Sequence, residues 1–242
     1  NIPVVSTLLG LGNFPQGHPN WAGMIGMHGD AVTNFAVHEA NLVIGIGCRF
    51  DDRITGPVPD FIKGKTFIHM EIDPSEINKI VKTQLPLLGN LKDALTRANE
   101  LLEAHSFPDW WEEINQLKDD HGFLDFTYSP PAKEGLLSQS RIIDTLSRIT
   151  EGEAIVAADV GRHQMWLARF YRFKHPNSHL SSGGLGSMGY GVPAAMGAKL
   201  AAPDREVWAI SGDGGFMMNV QELATLSEYN IDANIIIMED NC

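Results

Sequence analysis

The stretch Val207-Trp208-Ala209-Ile210-Ser211-Gly212-Asp213-Gly214-Gly215 joins a short apolar run to a glycine-flanked aspartate. A second apolar run, Ile235-Ile236-Ile237-Met238, follows one helix later and ends in Glu239-Asp240-Asn241. Short runs that are apolar throughout are typical of parallel strands buried on both faces. Doubly wound sheets bind ligands just beyond the carboxyl ends of such strands. The two acidic loops are therefore predicted to meet at one edge of a sheet.

Such an edge can hold a divalent metal and a diphosphate. Mg²⁺ takes one or two protein oxygens and completes its shell with phosphates and water. Asp213 supplies a carboxylate, and the glycines on either side of it let the backbone approach a phosphate. The tripeptide Gly212-Asp213-Gly214 is also common in ordinary turns, which glycine and aspartate dominate. Taken alone, it leaves both interpretations open.

The composition excludes several classes of function. The net charge of −12 and the 43% hydrophobic residues indicate an acidic globular protein, which is a poor partner for nucleic acid. No apolar run approaches the roughly 18 residues that a membrane helix needs, so no membrane partner is predicted. Cys48 and Cys242 are too few and too far apart for a disulfide framework. Free thiols and the absence of an export signal predict a cytoplasmic location, or an organelle in a eukaryote.

Alternating strand-like and helical runs predict an α/β fold with two domains, at 1–105 and 138–242, joined by a connection at 106–137. The first domain is expected to have strands at 4–7, 42–46, 67–72 and 86–88, with helices at 30–40, 74–80 and 91–104. The second is expected to have strands at 154–160, 180–182, 207–210 and 234–238, with helices ending at 150, beginning near 164, and at 190–202 and 219–230. The tryptophans Trp110 and Trp111 are predicted to cover a domain interface.

Four stretches together resemble one enzyme family. They are Gly26-Met27-His28-Gly29, the residues 47–56, Gly161-Arg162-His163-Gln164-Met165-Trp166, and the residues 212–223. With the glycine-dense loop at 182–191, they resemble acetolactate synthase, a flavin-containing transferase of branched-chain amino-acid biosynthesis that depends on thiamine diphosphate. The resemblance implies two doubly wound, mainly parallel-sheet domains, a partial flavin-binding middle domain and a truncated diphosphate-binding domain. It also implies a fragment that lacks the N-terminal pyrimidine-binding domain and the C-terminal end.

The resemblance implies three cofactors, thiamine diphosphate, Mg²⁺ and FAD. Its thiamine-diphosphate positions are Val160, Gly161, Arg162, His163, Gly186, Met188, Gly212, Gly214 and Gly215, and its metal ligands are Asp213, Asp240 and Cys242, the last through its carbonyl. Met188 is expected to be catalytic, because it presses the two rings of the cofactor together. The chain departs from the family at Arg162, where glutamine is usual, and at Glu239-Asp240, where Asn-Asn is usual. A slip of one residue would offer Asn241 as the ligand instead.

The resemblance also predicts an FAD site in the first domain. Its positions are Thr7, Leu8, Gly26, Met27, His28, Gly47, Arg49, Asp51, Arg53, Glu71 and Asn90, the last standing where the family usually has an aspartate. Without the resemblance, Arg49 and Arg53 with the acidic pair between them would be interpreted as a surface salt-bridge cluster. Arg53 is further expected to be catalytic near the mouth of the active site, where its forked cation would attract the carboxylate of a 2-keto acid.

The implied function is carboligation of two 2-keto acids, in which pyruvate is converted to 2-acetolactate with loss of CO₂. A glyoxylate carboligase or another thiamine-diphosphate-dependent 2-keto acid decarboxylase or lyase is an alternative, and a non-catalytic cofactor-binding module is a third. The resemblance implies a homo-oligomer, dimer or tetramer, in a family in which a regulatory subunit is common. The activating glutamate of the family belongs to the missing N-terminal domain, so the fragment is expected to be inactive alone.

Overall fold

The structure is a computed structural model that describes residues 1–123 and 135–239. It divides into two compact units. The first comprises residues 1–7 and 22–123, and the second comprises residues 8–21 with the described residues after Phe123. The segment 8–21 therefore packs with the second unit although it lies early in the chain. The predicted domain limits at 105 and 138 stay predictions.

The first unit contains a parallel sheet. Strands β1 (Val4–Ser6) and β2 (Trp21–Met24) form a two-stranded sheet, and β3 (Leu42–Ile46), β4 (Thr66–Glu71) and β5 (Leu85–Leu88) form a three-stranded sheet in the order β3-β4-β5. The helices are α1 (Ala31–Glu39), α2 (Asp52–Thr55), α3 (Val58–Phe61), α4 (Leu91–Leu101) and α5 (Pro108–His121). Ile46, Met70 and Leu87 lie side by side in the sheet, so the residues after them leave it at one edge.

Two small cores hold this unit together. Phe50, Phe67 and Val81 are buried on one face of the three-stranded sheet. Val32, Ala36 and Ile114 are buried between α1 and α5. The tryptophans Trp110 and Trp111 pack against this second core and are partly buried by it, and their predicted place at a domain interface stays a prediction. Burial of such large aromatic surfaces accounts for why α5 is anchored although most of its side chains are polar.

The second unit is a parallel sheet covered by helices. Its strands are β6 (Ile155–Ala158), β7 (His179–Ser181), β8 (Val207–Gly212) and β9 (Asn234–Met238), in the order β7-β6-β8-β9. Its helices are α6 (Gln139–Ile149), α7 (Arg162–Phe170), α8 (Gly191–Ala201), α9 (Asp213–Met218) and α10 (Glu222–Glu228). The predicted α/β class with parallel sheets is confirmed. All four residues of β6 are buried, as expected for a strand covered on both faces.

Several local predictions are wrong for identifiable reasons. No helix forms at 74–80, because side chains compete for the backbone there. Asp73 Oδ1 accepts from the amide of Ser75 at 2.8 Å, and Asn78 Oδ1 accepts from the amide of Thr83 at 2.8 Å. Strand β9 is not buried on both faces, since it lies at the edge of the described sheet and leaves Ile237 45% exposed.

The remaining differences are missed or shifted elements. Strand β2 and the short helices α2 and α3 were not predicted. Helix α4 ends at Leu101 and not at 104, and α10 begins at Glu222 and not at 219. Within the residues that the structure describes, no helix combines the length and the apolar character needed to cross a bilayer.

Candidate functional site

The topology of the second unit creates a crevice at one sheet edge. From β6 the chain crosses to β7 on one side and then returns to β8 on the other side of β6. Loops that leave neighbouring strands in opposite directions open a crevice beyond their carboxyl ends, which is where doubly wound sheets bind ligands. Gly212 pairs with Met238, so Asp213 and Glu239 leave adjacent strands at the same edge. The predicted meeting of the two acidic loops therefore holds as far as Glu239.

The turn after β6 presents an imidazole at this edge. Gly161 has a φ of 156°, and a Cβ there would lie 2.9 Å from Cε1 of His163, so the turn needs glycine. His163 is 4% exposed, and its Nε2 is buried without a hydrogen-bond partner among the described residues. Burial lowers the pKa of His163, which the charge and the backbone of Asp159 partly oppose. The ring is therefore neutral near pH 7 and keeps one unsatisfied nitrogen.

The turn after β8 lies against this imidazole. A Cβ on Gly212 would lie 3.4 Å from Cε1 of His163, which places the two turns in contact. Asp213 is the first residue of α9 and is exposed to solvent. Among the described residues, a Cβ on Gly214 would meet just the Cε atom of Met188, at 3.8 Å. The structure thus brings together the predicted positions on three separate loops.

The predicted metal ligands are only partly placed. Asp213 lies at the edge described above, whereas Asp240 and Cys242 lie outside the described residues. Within the described ranges, no group of three or more His, Cys, Asp or Glu side chains could hold a metal ion. A Mg²⁺ site of one carboxylate with phosphate and water ligands does not need such a group.

The glycine-dense loop before α8 is fixed by hydrogen bonds along its length. The amides of Gly186 and Ser187 donate to the carbonyl and hydroxyl oxygens of Ser182, at 2.7 and 2.9 Å. Asn219 Nδ2 donates to the carbonyl of Gly189 at 2.6 Å. Met188, between these anchored ends, is 48% exposed. The loop therefore presents a large flexible apolar side chain from a fixed backbone.

Asp159 is a residue of this site that the sequence did not reveal. Its side chain lies below the edge, and the residue is 1% exposed. Oδ1 accepts from the amides of Val160 at 2.7 Å and Gly189 at 3.0 Å, and Oδ2 accepts from the amide of Gly191 at 2.9 Å. The available signal was an acidic residue directly after the apolar run of β6. Its partners, about thirty residues later, could not be read from that signal.

The first unit also brings predicted positions to a sheet edge. Gly47 has a φ of 60°, and its amide donates to the carbonyl of Met70 at 2.9 Å. Glu71 is buried, and its Oε1 accepts from the amide of Ile72 at 2.8 Å. Asn90 caps α4, because its Oδ1 accepts from the amide of Lys92 at 2.9 Å. Glu71 and Asn90 therefore shape their own loops, and their predicted roles toward FAD stay predictions.

Exposed ion pairs surround the same edge. Arg49 lies 3.1 Å from Asp51, and Arg53 lies 2.7 Å from Asp52. The side chains of these pairs are between 35% and 77% exposed. Pairs so exposed contribute little to stability, and their cations stay accessible to an anion. The geometry suits both the salt-bridge interpretation and the FAD interpretation of this segment.

A cleft of about 470 Å³ opens beside α1 and α2 in the first unit. Gly26, Met27 and Arg53 line it, together with Asn34 and His38. The amide of Met27 donates to the carbonyl of Arg53 at 2.8 Å, and a Cβ on Gly26 would lie 2.8 Å from that same oxygen. Three of the predicted FAD positions therefore share one cleft.

The other predicted FAD positions are more scattered. His28 is exposed, and Thr7 is partly buried in the first unit. Leu8 belongs to the second unit, where a Cβ on Gly183 would lie 3.4 Å from its Cδ2. The predicted role of Leu8 toward FAD stays a prediction.

Comparisons with known proteins agree with these features. The family model described as "Thiamine pyrophosphate enzyme, central domain" matches residues 1–98, and "Thiamine pyrophosphate enzyme, C-terminal TPP binding domain" matches residues 159–242. The chain is 42% identical to the acetolactate synthase large subunit of Lactococcus lactis, covering 99% of the chain and 41% of that protein. It is 44% identical to the probable acetolactate synthase large subunit of Methanocaldococcus jannaschii, with 99% and 41% covered.

A third relative gives the same picture. The chain is 39% identical to the acetolactate synthase isozyme 3 large subunit of Escherichia coli, covering 98% of the chain and 42% of that protein. The chain thus spans about two fifths of the length of these relatives.

Proposed function

We propose that this chain, which belongs to the thiamine pyrophosphate enzyme family, is part of an acetolactate synthase large subunit. The parent protein would join two 2-keto acids, converting pyruvate to 2-acetolactate with loss of CO₂, in branched-chain amino-acid biosynthesis. One observation supports this most strongly. His163, Asp213 and Met188 converge at the edge of β6 and β8, inside the region matched by the thiamine-pyrophosphate-binding domain.

The residues at this edge fit Mg²⁺ and a diphosphate. The buried, unpartnered Nε2 of His163 can accept a hydrogen bond from the ligand or from its bound water, because the proton of the neutral ring is used toward the backbone of Asp159, and the exposed carboxylate of Asp213 offers Mg²⁺ a hard oxygen ligand. Helix α7 begins at Arg162, and the dipole at the amino-terminal end of a helix favours anions. Gly161, Gly212 and Gly214 leave room for a phosphate close to the backbone. When bound, thiamine diphosphate supplies the carbanion stabilisation that decarboxylation of a 2-keto acid requires.

The protein's own contribution is positional and electrostatic. A neutral His163 accepts a hydrogen bond at Nε2 and adds no charge, so the charge of a diphosphate would be met mainly by the metal and by backbone amides. Met188 extends from a loop with fixed ends, so it can support a bound ring system in one conformation. The apolar Leu185 on the same loop is 92% exposed and can help to exclude water once covered.

We also propose that the first unit binds FAD. The cleft of about 470 Å³ lies within the range of about 300–1,000 Å³ that is usual for small-molecule sites, so it could hold part of a dinucleotide. Gly26 and Met27 would approach the cofactor through their backbone. Arg53, which lines the cleft and is exposed, could also attract the carboxylate of a 2-keto acid.

The assembly of the parent protein is a further part of the proposal. The relatives from Lactococcus lactis and Escherichia coli are named large subunits, which supports a regulatory small subunit as a partner. We propose that the full-length protein forms a homo-oligomer, either a dimer or a tetramer. Light scattering would measure its molar mass and so distinguish the two. A cytoplasmic location is consistent with the free thiol of Cys48.

Product analysis of the full-length parent enzyme tests the proposed activity. The enzyme would be given Mg²⁺, thiamine diphosphate and FAD, with either pyruvate or glyoxylate as substrate. We expect 2-acetolactate from pyruvate, and loss of the product when EDTA removes the metal. Turnover of glyoxylate alone would favour the glyoxylate carboligase alternative. An intact protein that neither turns over substrate nor binds the cofactor would favour the non-catalytic module.

Two methionines provide a matched pair of variants for the same assay. Met188→Ala should reduce acetolactate formation by at least about tenfold, since it removes an interaction that acts in the transition state. Met217→Ala should retain activity, because Met217 is also an exposed methionine, at 65%, but has no proposed contact with the cofactor. Equal activity of both variants would contradict the role of Met188.

A further inference from the structure

A buried carboxylate holds together the loops of the cofactor edge. The two oxygens of Asp159 accept three backbone hydrogen bonds, from Val160, Gly189 and Gly191. The first donor is the residue that follows Asp159 in the chain, and the other two belong to the loop before α8 and to its first turn. Asp159 therefore links the end of β6 to the loop that carries Met188. Because the residue is 1% exposed, almost none of its surface can touch a ligand.

Helix α8 needs this link at its start. The first amides of a helix have no partner within the helix. Tyr190, at the N-cap position, makes no side-chain capping bond, and the amide of Gly191 donates instead to Asp159. A carboxylate at this end is also favoured by the helix dipole. Asp159, which follows β6, thus caps the amino-terminal end of α8.

The residue after Met188 is held through both of its backbone groups. The amide of Gly189 donates to Asp159, and its carbonyl accepts from Asn219, which follows α9. Gly189 has a φ of 82°, a backbone conformation that residues other than glycine rarely adopt. The backbone next to Met188 is therefore fixed in an unusual conformation.

Helix α9 packs directly on the same carboxylate. A Cβ on Gly215 would lie 2.7 Å from Oδ1 of Asp159, so this contact requires glycine. Asp213 begins the same helix two residues earlier. Asp159 therefore contacts both the loop that carries Met188 and the helix that begins with the proposed metal ligand.

We propose that Asp159 is a positioning residue for the cofactor site. Its carboxylate fixes the backbone of Gly189 and Gly191 and so sets the place of Met188 relative to Asp213. It acts through these backbone groups and not through contact with a ligand. The consequence for the cofactor rests on the proposed function, whereas the consequence for the loop does not.

Hydrogen exchange of the full-length parent enzyme, without metal or cofactor, tests the effect on the loop. Asp159→Asn keeps the shape of the side chain but replaces one acceptor oxygen with an amide group that cannot accept from the backbone. Mass spectrometry should show amides in a peptide spanning residues 183–191 exchanging at least about tenfold faster than in wild type. Peptides from α6 and from the first unit should be unchanged.

Asp232→Asn is the matched control, because Asp232 is an exposed aspartate of the same unit. It should leave the exchange of all peptides as in wild type. Unchanged exchange of residues 183–191 in Asp159→Asn would overturn the proposal. Faster exchange by the same factor in every peptide would also overturn it, because that result indicates a general loss of stability.

Binding and turnover then separate positioning from cofactor affinity. Calorimetry with thiamine diphosphate and Mg²⁺ should give a Kd for Asp159→Asn within about threefold of wild type, while kcat at saturation falls by at least about tenfold. A Kd weakened about tenfold with kcat retained would contradict action through Met188. If the wild-type enzyme does not bind thiamine diphosphate, the proposed function fails, and the exchange result still decides the role of Asp159 in the loop.

Discussion

Replacing Gly215 with alanine is expected to destabilise the second unit. The added Cβ would lie 2.7 Å from Oδ1 and 2.8 Å from Cγ of Asp159, well inside normal contact distance. The carboxylate cannot withdraw without loosening its bonds to Gly189 and Gly191. Overpacking of this kind costs about 1–3 kcal/mol, and the better helix propensity of alanine offsets about 1 kcal/mol. We expect a net loss of about 1 kcal/mol in the free energy of unfolding, and of at most about 2 kcal/mol.

Urea unfolding of this chain, followed by circular dichroism, measures the loss. With a slope of about 3 kcal/mol per molar urea, the midpoint should fall by about 0.3 M. Gly214→Ala is the control in the same helix, because its Cβ would meet only Cε of Met188 at an ordinary 3.8 Å. That variant should keep the wild-type midpoint or exceed it. Equal midpoints for the two variants would refute the packing of α9 on Asp159.

Three further predictions each concern a single residue. Burial lowers the pKa of His179 to about 4 from 6.5, so the unfolded chain binds a proton first and stability falls as the pH drops through that interval. Between pH 7 and pH 5, urea unfolding should show a loss of about 2 kcal/mol that His179→Leu largely removes, and an unchanged loss would contradict this. Burial raises the pKa of the Cys48 thiol, so peptide mapping should show it reacting with iodoacetamide at pH 8 more slowly than glutathione does. Gly197→Ala in α8, where a Cβ would meet nothing within 4 Å, should stabilise the chain by about 1 kcal/mol in urea; a loss would show hidden crowding.

The sheet strands could be predicted where apolar residues predominate in a short run. Strands β3 and β9 have the predicted bounds, because each contains at least three β-branched apolar residues within five positions. Strand β2 was missed because Trp21 to Met24 is only four residues long and contains a glycine. Its burial depends on tertiary packing, which a short run does not reveal.

The start of a helix could be predicted where a side chain caps the first amides of that helix. Asn90 marks the start of α4, as a capping residue should. The helix predicted at 74–80 does not form, because Asp73 and Asn78 use their side-chain oxygens to make turns there. Asp213 was predicted in a loop, yet it begins α9, where an acidic residue suits the helix dipole.

The candidate site was predictable only in the residues that belong to glycine-rich loops. His163, Met188 and Asp213 stand in recognisable glycine-rich stretches, and the structure brings their loops together. Asp159 could not be recognised, because its role depends on amides of Gly189 and Gly191 that become neighbours only through the fold. Contacts so distant along the chain leave no periodic pattern in the sequence.

The most direct test of the central claim is the affinity of the full-length enzyme for thiamine diphosphate, with and without Mg²⁺. Calorimetric titration should show tight binding to the wild type that depends on Mg²⁺. Asp213→Asn should weaken it by at least about tenfold, whereas Asp204→Asn, at an exposed aspartate of the same unit, should not. Wild-type affinity and Mg²⁺ dependence in Asp213→Asn would contradict a metal and diphosphate site at the edge of β6 and β8.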